Sequence, residues 1–177
     1  MSLVGQPAPG FTQLPSTKNA TKLDEPVALR DFAGRWLVLL FYPADFSSVA
    51  PSELLAFSRC APEFAEYGAQ MLAISTDGVF CHQAFIEFVL GRLNFPLASD
   101  TTLAVSRAYG VLDEDRGVAQ PALLIIDPAG TVRYEVVHDP DTGRSVQEVA
   151  RVLQALATDT PCAADWRPGV PALLAAS

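Results

Sequence analysis

Between Phe41 and Glu53 the chain reads Phe-Tyr-Pro-Ala-Asp-Phe-Ser-Ser-Val-Ala-Pro-Ser-Glu. A continuous apolar run, Trp36 to Tyr42, stops at Pro43, and a helix is expected to open at Ala50 and Pro51. A strand that feeds a loop into a helix N-terminus sets the loop's side chains against unpaired backbone N–H groups. The helix dipole there favours negative charge. Ser47 offers a hydroxyl to that place and Glu53 a carboxylate in the first turn, but Ala50 has no group to ionise. Taken alone, Pro43 and Pro51 would be no more than punctuation between a strand and a helix.

The other reactive side chains are few. Cys60, Cys81 and Cys162 are the cysteines, and His82 and His138 the histidines. Three thiols do not make a disulfide framework in a chain of this size, so each is either a packing residue or a redox group. Cys60 falls on the apolar stripe of its helix and is expected to be a small core residue. Cys81 lies in a first helical turn beside His82, a setting that can lower a thiol pKa, but nothing places it beside Ser47 and a packing role is expected. No Cys/His spacing suits a metal ion, and no cofactor is implied.

The 177 residues are half hydrophobic and 18% charged, which fits a single folded domain and excludes global disorder. A formal charge of −8 argues against nucleic acid and anionic membrane as partners. No apolar run approaches the roughly 20 residues of a membrane span. The start, Met-Ser-Leu-Val-Gly-Gln, lacks a basic and an apolar region, so an unprocessed cytoplasmic protein is expected.

The elements that must hold these residues follow in order. Gly5 to Phe11 should run extended, with Phe11 on the core. Thr12 to Pro26 should form a hairpin-like excursion, and Val27 to Gly34 a short strand and a turn of helix. Trp36–Tyr42 and Ala69–Asp77 read as buried strands separated by an amphipathic helix from Pro51 to Tyr67. Helices over Val79–Leu90 and Thr101–Tyr109 flank a short strand at Phe95–Asp100. Ala122–Asp127 and Thr131–Val137 form a hairpin around Pro128-Ala-Gly130, and Val146–Leu156 is a last helix. The fold class is therefore α/β, a central mixed sheet flanked by helices. Residues 1–157 make the domain and 158–177 a C-terminal tail.

The loop resembles the peroxidatic loop of peroxiredoxins, Phe-Tyr-Pro-x-Asp-Phe-Thr-x-Val-Cys-Pro-x-Glu. Pro43, Asp45, Phe46, Val49, Pro51 and Glu53 match, Ser47 stands for Thr, and Ala50 takes the place of the nucleophilic cysteine. Gly5-Gln-Pro-Ala-Pro-Gly-Phe11 and Gly143-Arg-Ser145 are also similar to family motifs. Thr160-Pro-Cys162-Ala-Ala-Asp-Trp166-Arg-Pro168-Gly169 is similar to the segment carrying the resolving cysteine of typical two-cysteine members, the alkyl hydroperoxide reductase or thiol-specific antioxidant type. The resemblance spans residues 5 to 169. It implies a thioredoxin-like fold and thiol-dependent reduction of hydrogen peroxide and alkyl hydroperoxides by thioredoxin-like donors. It also implies a homodimer, with a decameric ring as the larger assembly.

Carried over position by position, the resemblance makes Pro43 the shield, Ser47 the peroxide-orienting hydroxyl and Ala50 the vacant peroxidatic position. Glu53 and Arg144 become an anchoring pair, and Cys162 the resolving position. Pro121 falls where the family's thiolate-stabilising Arg stands and can neither carry charge nor donate a hydrogen bond. A proline just before this strand also resembles the cis-proline of thioredoxin, which raises the expectation of a cis Gln120–Pro121 bond. The Gly-Gly-Leu-Gly insertion and Tyr-Phe tail of overoxidation-sensitive members have no counterpart in the chain. Three functions stay open: a peroxidase in an engineered Cys-to-Ala form; a natural pseudo-peroxidase acting as scaffold, holdase or partner subunit; and a thiol enzyme working through Cys81 or Cys162.

Overall fold

The computed structural model describes residues 2–18 and 25–173. Its centre is the run Trp36–Phe41, β3, whose side chains from Leu37 onward are all buried. Six consecutive apolar residues are tolerated there because both faces of the strand are covered. On one side β3 pairs in parallel with β4 (Ala69–Ser75), and on the other antiparallel with β8 (Ala122–Ile126). Outward from β4 lie β5 (Leu97–Ser99), β1 (Leu14–Ser16) and β2 (Glu25–Val27). Beyond β8 lies β9 (Val132–Val137), which ends the seven-stranded sheet. A separate two-residue ribbon, β6 (Leu112–Asp113) with β7 (Val118–Ala119), precedes β8.

One face of the sheet packs on α1 (Ala50–Glu66) and α4 (Val146–Ala157), through Leu54, Phe57, Phe64, Val149 and Leu153. On the other face Phe11, Val27, Phe32, Val105 and Tyr109 pack together, supplied by the N-terminal segment, β2, the 3-10 turn at Leu29–Phe32 and α3 (Ala104–Ala108) with its C-cap residue. Phe11 anchors the extended start, and a bridge between Pro7 and Thr131 fixes it to the hairpin. Ser145 caps α4 by accepting from the Glu148 N–H at 3.2 Å.

Helix α1 contains a proline, Pro62, which cannot donate to the carbonyl of Ser58. The freed carbonyl is taken up by Asn94, whose Nδ2 donates to it at 2.8 Å. The Asn94 N–H donates to the Ser58 hydroxyl at 2.9 Å, so the loop before β5 is pinned to the helix at its interruption.

Several elements depart from the expectations. The helix over 79–90 is a normal α2 only over Val79–Phe85, and Ile86–Leu90 widens into a π-turn that Gly91 closes with φ +71. The third helix is shorter than 101–109 because Asp100 caps it, accepting from the Val105 and Ser106 N–H groups and the Ser106 hydroxyl. The excursion over 12–26 holds β1 and the start of β2, while residues 19–24 lie outside the described ones. So do the last tail residues, 174–177. No described peptide bond is cis, which overturns the cis Gln120–Pro121 expectation. The Gln120 N–H donates to Val111 at 2.7 Å and the Pro121 carbonyl accepts from His138 at 2.8 Å, ties that the chain reaches with a trans bond.

Candidate functional site

β3 ends at Phe41, Tyr42 leads into the loop 43–49, and α1 starts directly at Ala50. Val49 is the N-cap residue and has no side-chain cap. Its carbonyl accepts from the N–H groups of Ser52 and Glu53 and from the Ser52 hydroxyl, at 3.1, 3.3 and 2.8 Å. Pro51 sits in the first turn, where its missing N–H costs nothing. Ala50 is buried, Pro43 and Ser47 are half-buried, and all three lie on this short stretch as the sequence implies. No thiol occupies the helix N-terminus.

The anchoring pair forms. Arg144 and Glu53 are both buried; Nε donates to Oε1 at 2.8 Å and Nη2 to Oε2 at 2.9 Å, a two-pronged grip. The Arg144 N–H adds a bond to Oε1 at 2.6 Å. The remaining nitrogen, Nη1, donates to the carbonyls of Phe41, at 2.9 Å, and Ala122. One guanidinium thus ties the end of β3, the start of β8 and the first turn of α1. Gly143 sits against Val49 and Glu53, where a Cβ would lie 3.7 Å from Cγ of Glu53. Burial works to raise the Glu53 carboxyl, and the hydrogen bonds and charge of Arg144 outweigh it, holding it below its ordinary value.

Pro121 is buried and immediately precedes β8, and it brings no cation to that position. Cys162 does not belong to the loop: it lies after α4, half-buried. Its Sγ donates to the Thr160 carbonyl at 3.5 Å and contacts the Thr158 hydroxyl at 3.6 Å. The tail around it is folded on its own helix. Arg151 of α4 donates to the Trp166 carbonyl at 3.1 Å, and the buried Trp166 donates through Nε1 to the Val170 carbonyl at 2.8 Å.

One thiol expectation changes. Cys60 is half-buried at the rim of the core rather than inside it, and lines a hollow shared with Arg151, Gln154 and Arg167. The Cys81 thiol is not activated. Partial burial, then a hydrogen bond to Asp45 and the negative charges of Asp45 and Asp77, push it from 9.0 up to about 11. The His82 ring lies beside the same Asp45 carboxylate, in a buried cluster.

That cluster escaped the sequence reading. The Tyr42 hydroxyl donates to Asp45 Oδ1 at 2.8 Å, and His82 Nδ1 meets Asp45 Oδ2 at 2.8 Å. His82 Nε2 lies 3.2 Å from the Ala98 carbonyl, and the Asp45 N–H donates to Asp77 Oδ2 at 2.7 Å. The available signal was the pairing of Tyr42 and Asp45, three positions apart in the loop, with a histidine on the next helix. Burial and Asp45 together hold the Tyr42 hydroxyl well above its ordinary pKa.

The profile of the AhpC/TSA family matches residues 4–135, which contain the whole loop. The chain belongs to the AhpC/TSA peroxiredoxin family. It is 45% identical over 172 residues to a putative peroxiredoxin in the rubredoxin operon of Clostridium pasteurianum, covering 94% of this chain and 96% of that one. It is 43% identical to Peroxiredoxin-2 of Cricetulus griseus, covering 94% and 87%. The crystal structure of reduced Plasmodium vivax 2-Cys peroxiredoxin superposes with a TM-score of 0.91 at 30% identity, covering 97% of this chain and 92% of that one. The thioredoxin-like peroxiredoxin fold is thereby established for this chain, and the family's chemistry is peroxide reduction.

Proposed function

We propose that this chain is a peroxiredoxin scaffold that does not carry out the thiol step at position 50: a pseudo-peroxidase acting as a partner subunit or holdase in an assembly. The observation that carries this is that Ala50 stands at the start of α1 while Pro121, just before β8, takes the position where the family has its arginine. The two positions that would make and stabilise a thiolate are both apolar. A single exchange at position 50 does not account for the second. Pro43 and Ser47 keep the shield and the hydroxyl, Glu53 and Arg144 the anchor, and Cys162 the resolving position with no sulfenic acid to resolve.

Assembly is supported by three exposed phenylalanines. Phe46 lies on the loop, while Phe80 and Phe88 are carried by the helical segment that the loop packs against. At the far end of the sheet, β9 is an edge strand with Val137 exposed. A homodimer through that edge and a ring through the aromatic face fit these surfaces. We assign the protein to the cytoplasm, and no described helix is long and apolar enough to cross a membrane.

The retained Cys162 and the intact Glu53–Arg144 clamp favour a second reading. In it Ala50 replaces a native cysteine, and the native protein reduces hydroperoxides with a thioredoxin-like reductant. The codon at position 50 of the gene separates the two. Chemistry relocated to Cys81 is disfavoured by a thiol that stays protonated at neutral pH. The decisive assay is peroxide consumption by the chain with a thioredoxin-type reductant, alongside Cys81→Ser and Cys162→Ser variants. No consumption above buffer is expected, and turnover abolished by either substitution would overturn the proposal.

A further inference from the structure

We infer that His82 is a buried imidazolium, and that its second proton locks the loop 43–49 to the sheet and makes the loop respond to pH. The His82 ring has no exposed surface, and each nitrogen faces an oxygen. The Ala98 carbonyl can only accept. Asp45 already accepts the Tyr42 proton on Oδ1 and presents Oδ2 to the ring. A neutral imidazole has one N–H and one lone pair, so it would set that lone pair against one of the two acceptors. Two acceptors require two N–H groups.

The surrounding charge places the extra proton on the ring rather than on Asp45. The groups facing the cluster are Tyr42 from the end of β3, Asp45 from the loop, Ser75 and Asp77 from the end of β4, Cys81 from α2 and the Ala98 carbonyl of β5. None is a lysine or arginine. Asp45 and Asp77 are joined by the Asp45 N–H bond at 2.7 Å, and a buried carboxylate is stable only with a counter-charge or full hydrogen bonding. An imidazolium at His82 supplies that charge.

Position in the chain turns this proton into a device. Asp45 directly precedes Phe46, which adopts φ +58, a left-handed conformation that a bulky residue takes only when its surroundings impose it. The Phe46 ring packs on Phe85 of α2, centroids 4.9 Å apart, so α2 grips the loop twice, through His82 on Asp45 and through Phe85 on Phe46. As the pH rises, His82 gives its proton to solvent, no electron moves, and the buried cluster gains one net negative charge. A charge-assisted bond is lost beside two carboxylates, and the loop bearing Ser47 and Phe46 loosens. The lock is closed in acid and opens toward alkali.

Nitrogen-15 spectra of the His82 ring in the full-length protein test the protonation directly. At about pH 6, both ring nitrogens should read as protonated; a neutral tautomer there overturns the inference. Hydrogen exchange of the loop, corrected for intrinsic rates, tests the lock, since it reads backbone opening whether or not the protein is a peroxidase or assembles. From about pH 6 to about pH 9 the protection of residues 44–49 should fall roughly tenfold, as expected for one charge-assisted hydrogen bond. In His82→Gln the protection should be lower at the acid end and independent of pH. Loop protection unchanged across that range in the unsubstituted protein would also overturn the inference, and that measurement stands even if the variant fails to fold.

Discussion

Arg144 closes on both carboxylate oxygens of Glu53 from 91 positions away in sequence, and both side chains are buried. The pair pins α1 to the ends of β3 and β8 whether or not a thiol stands at position 50. Because each partner compensates a buried charge, removing one leaves the other unpaired. Arg144→Ala is expected to destabilise the fold by about 3–5 kcal/mol, read as a shift in the denaturant midpoint at constant slope. Glu53→Gln leaves Arg144 its two carbonyl acceptors and should cost less. Equal losses in the two variants would show that the carboxylate charge is not what the site needs.

The same pair sets the acid limit of stability. The folded Glu53 carboxyl is held below its ordinary 4.5, so its contribution is fully present above that pH. It is lost as the pH falls through the folded value. Urea unfolding from about pH 6 down to about pH 3 should therefore show a stability loss that is shallower in Glu53→Gln. Parallel curves for the two proteins would refute it.

Restoring a thiol tests the division of labour at the loop. Ala50→Cys places a thiol at a helix N-terminus, which lowers its pKa, but leaves no cation at position 121. We expect weak peroxide consumption from that variant and about 10- to 100-fold more from Ala50→Cys with Pro121→Arg, with folding checked by circular dichroism. Full activity from the single exchange would mean that Arg144 already supplies the charge.

Cys81 should resist alkylation. With its thiol near 11, iodoacetamide modification at about pH 8 is expected to be slower than for an ordinary exposed thiol by about two orders of magnitude, and to rise with pH toward 11. Asp45→Asn removes both the hydrogen bond and one of the charges and should speed it. Site-resolved mass spectrometry reads the rates, and fast labelling of Cys81 at neutral pH would sink the assignment.

Pro62 and Asn94 should be coupled. Asn94→Ala strands the carbonyl that Pro62 leaves free and should cost about 1–3 kcal/mol. In a Pro62→Ala background the new N–H takes that carbonyl, so the same substitution should cost less. Additive effects in the double-mutant cycle would mean that the two do not share the group.

What could be read from the sequence followed local rules. Trp36–Tyr42 was legible as a buried strand because its apolar run is short and ends at proline, and 146–156 as a helix because its stripe has one period. The site loop was legible because its residues are consecutive. The π-turn at 86–90 was not, since its residues are individually ordinary and the widening comes from the close at Gly91. The Tyr42–Asp45–His82 cluster depends on β4 and β5 bringing Asp77 and the Ala98 carbonyl to a helix 37 positions from Asp45. No spacing rule encodes that meeting. The raised Cys81 thiol was not legible either, because it comes from partial burial and then from Asp45, which the loop and not its own helix supplies.

The folded-back tail has a practical consequence. Of the two tryptophans, Trp36 is fixed at the start of the central strand, whereas Trp166 is buried only while residues 158–173 lie along α4. Any event that draws Cys162 away from its own helix, such as docking on another subunit, must carry the Trp166 indole out of its buried position into a new environment. The chain therefore has an intrinsic optical gauge, in which emission from one indole reports the tail and the other serves as an internal constant.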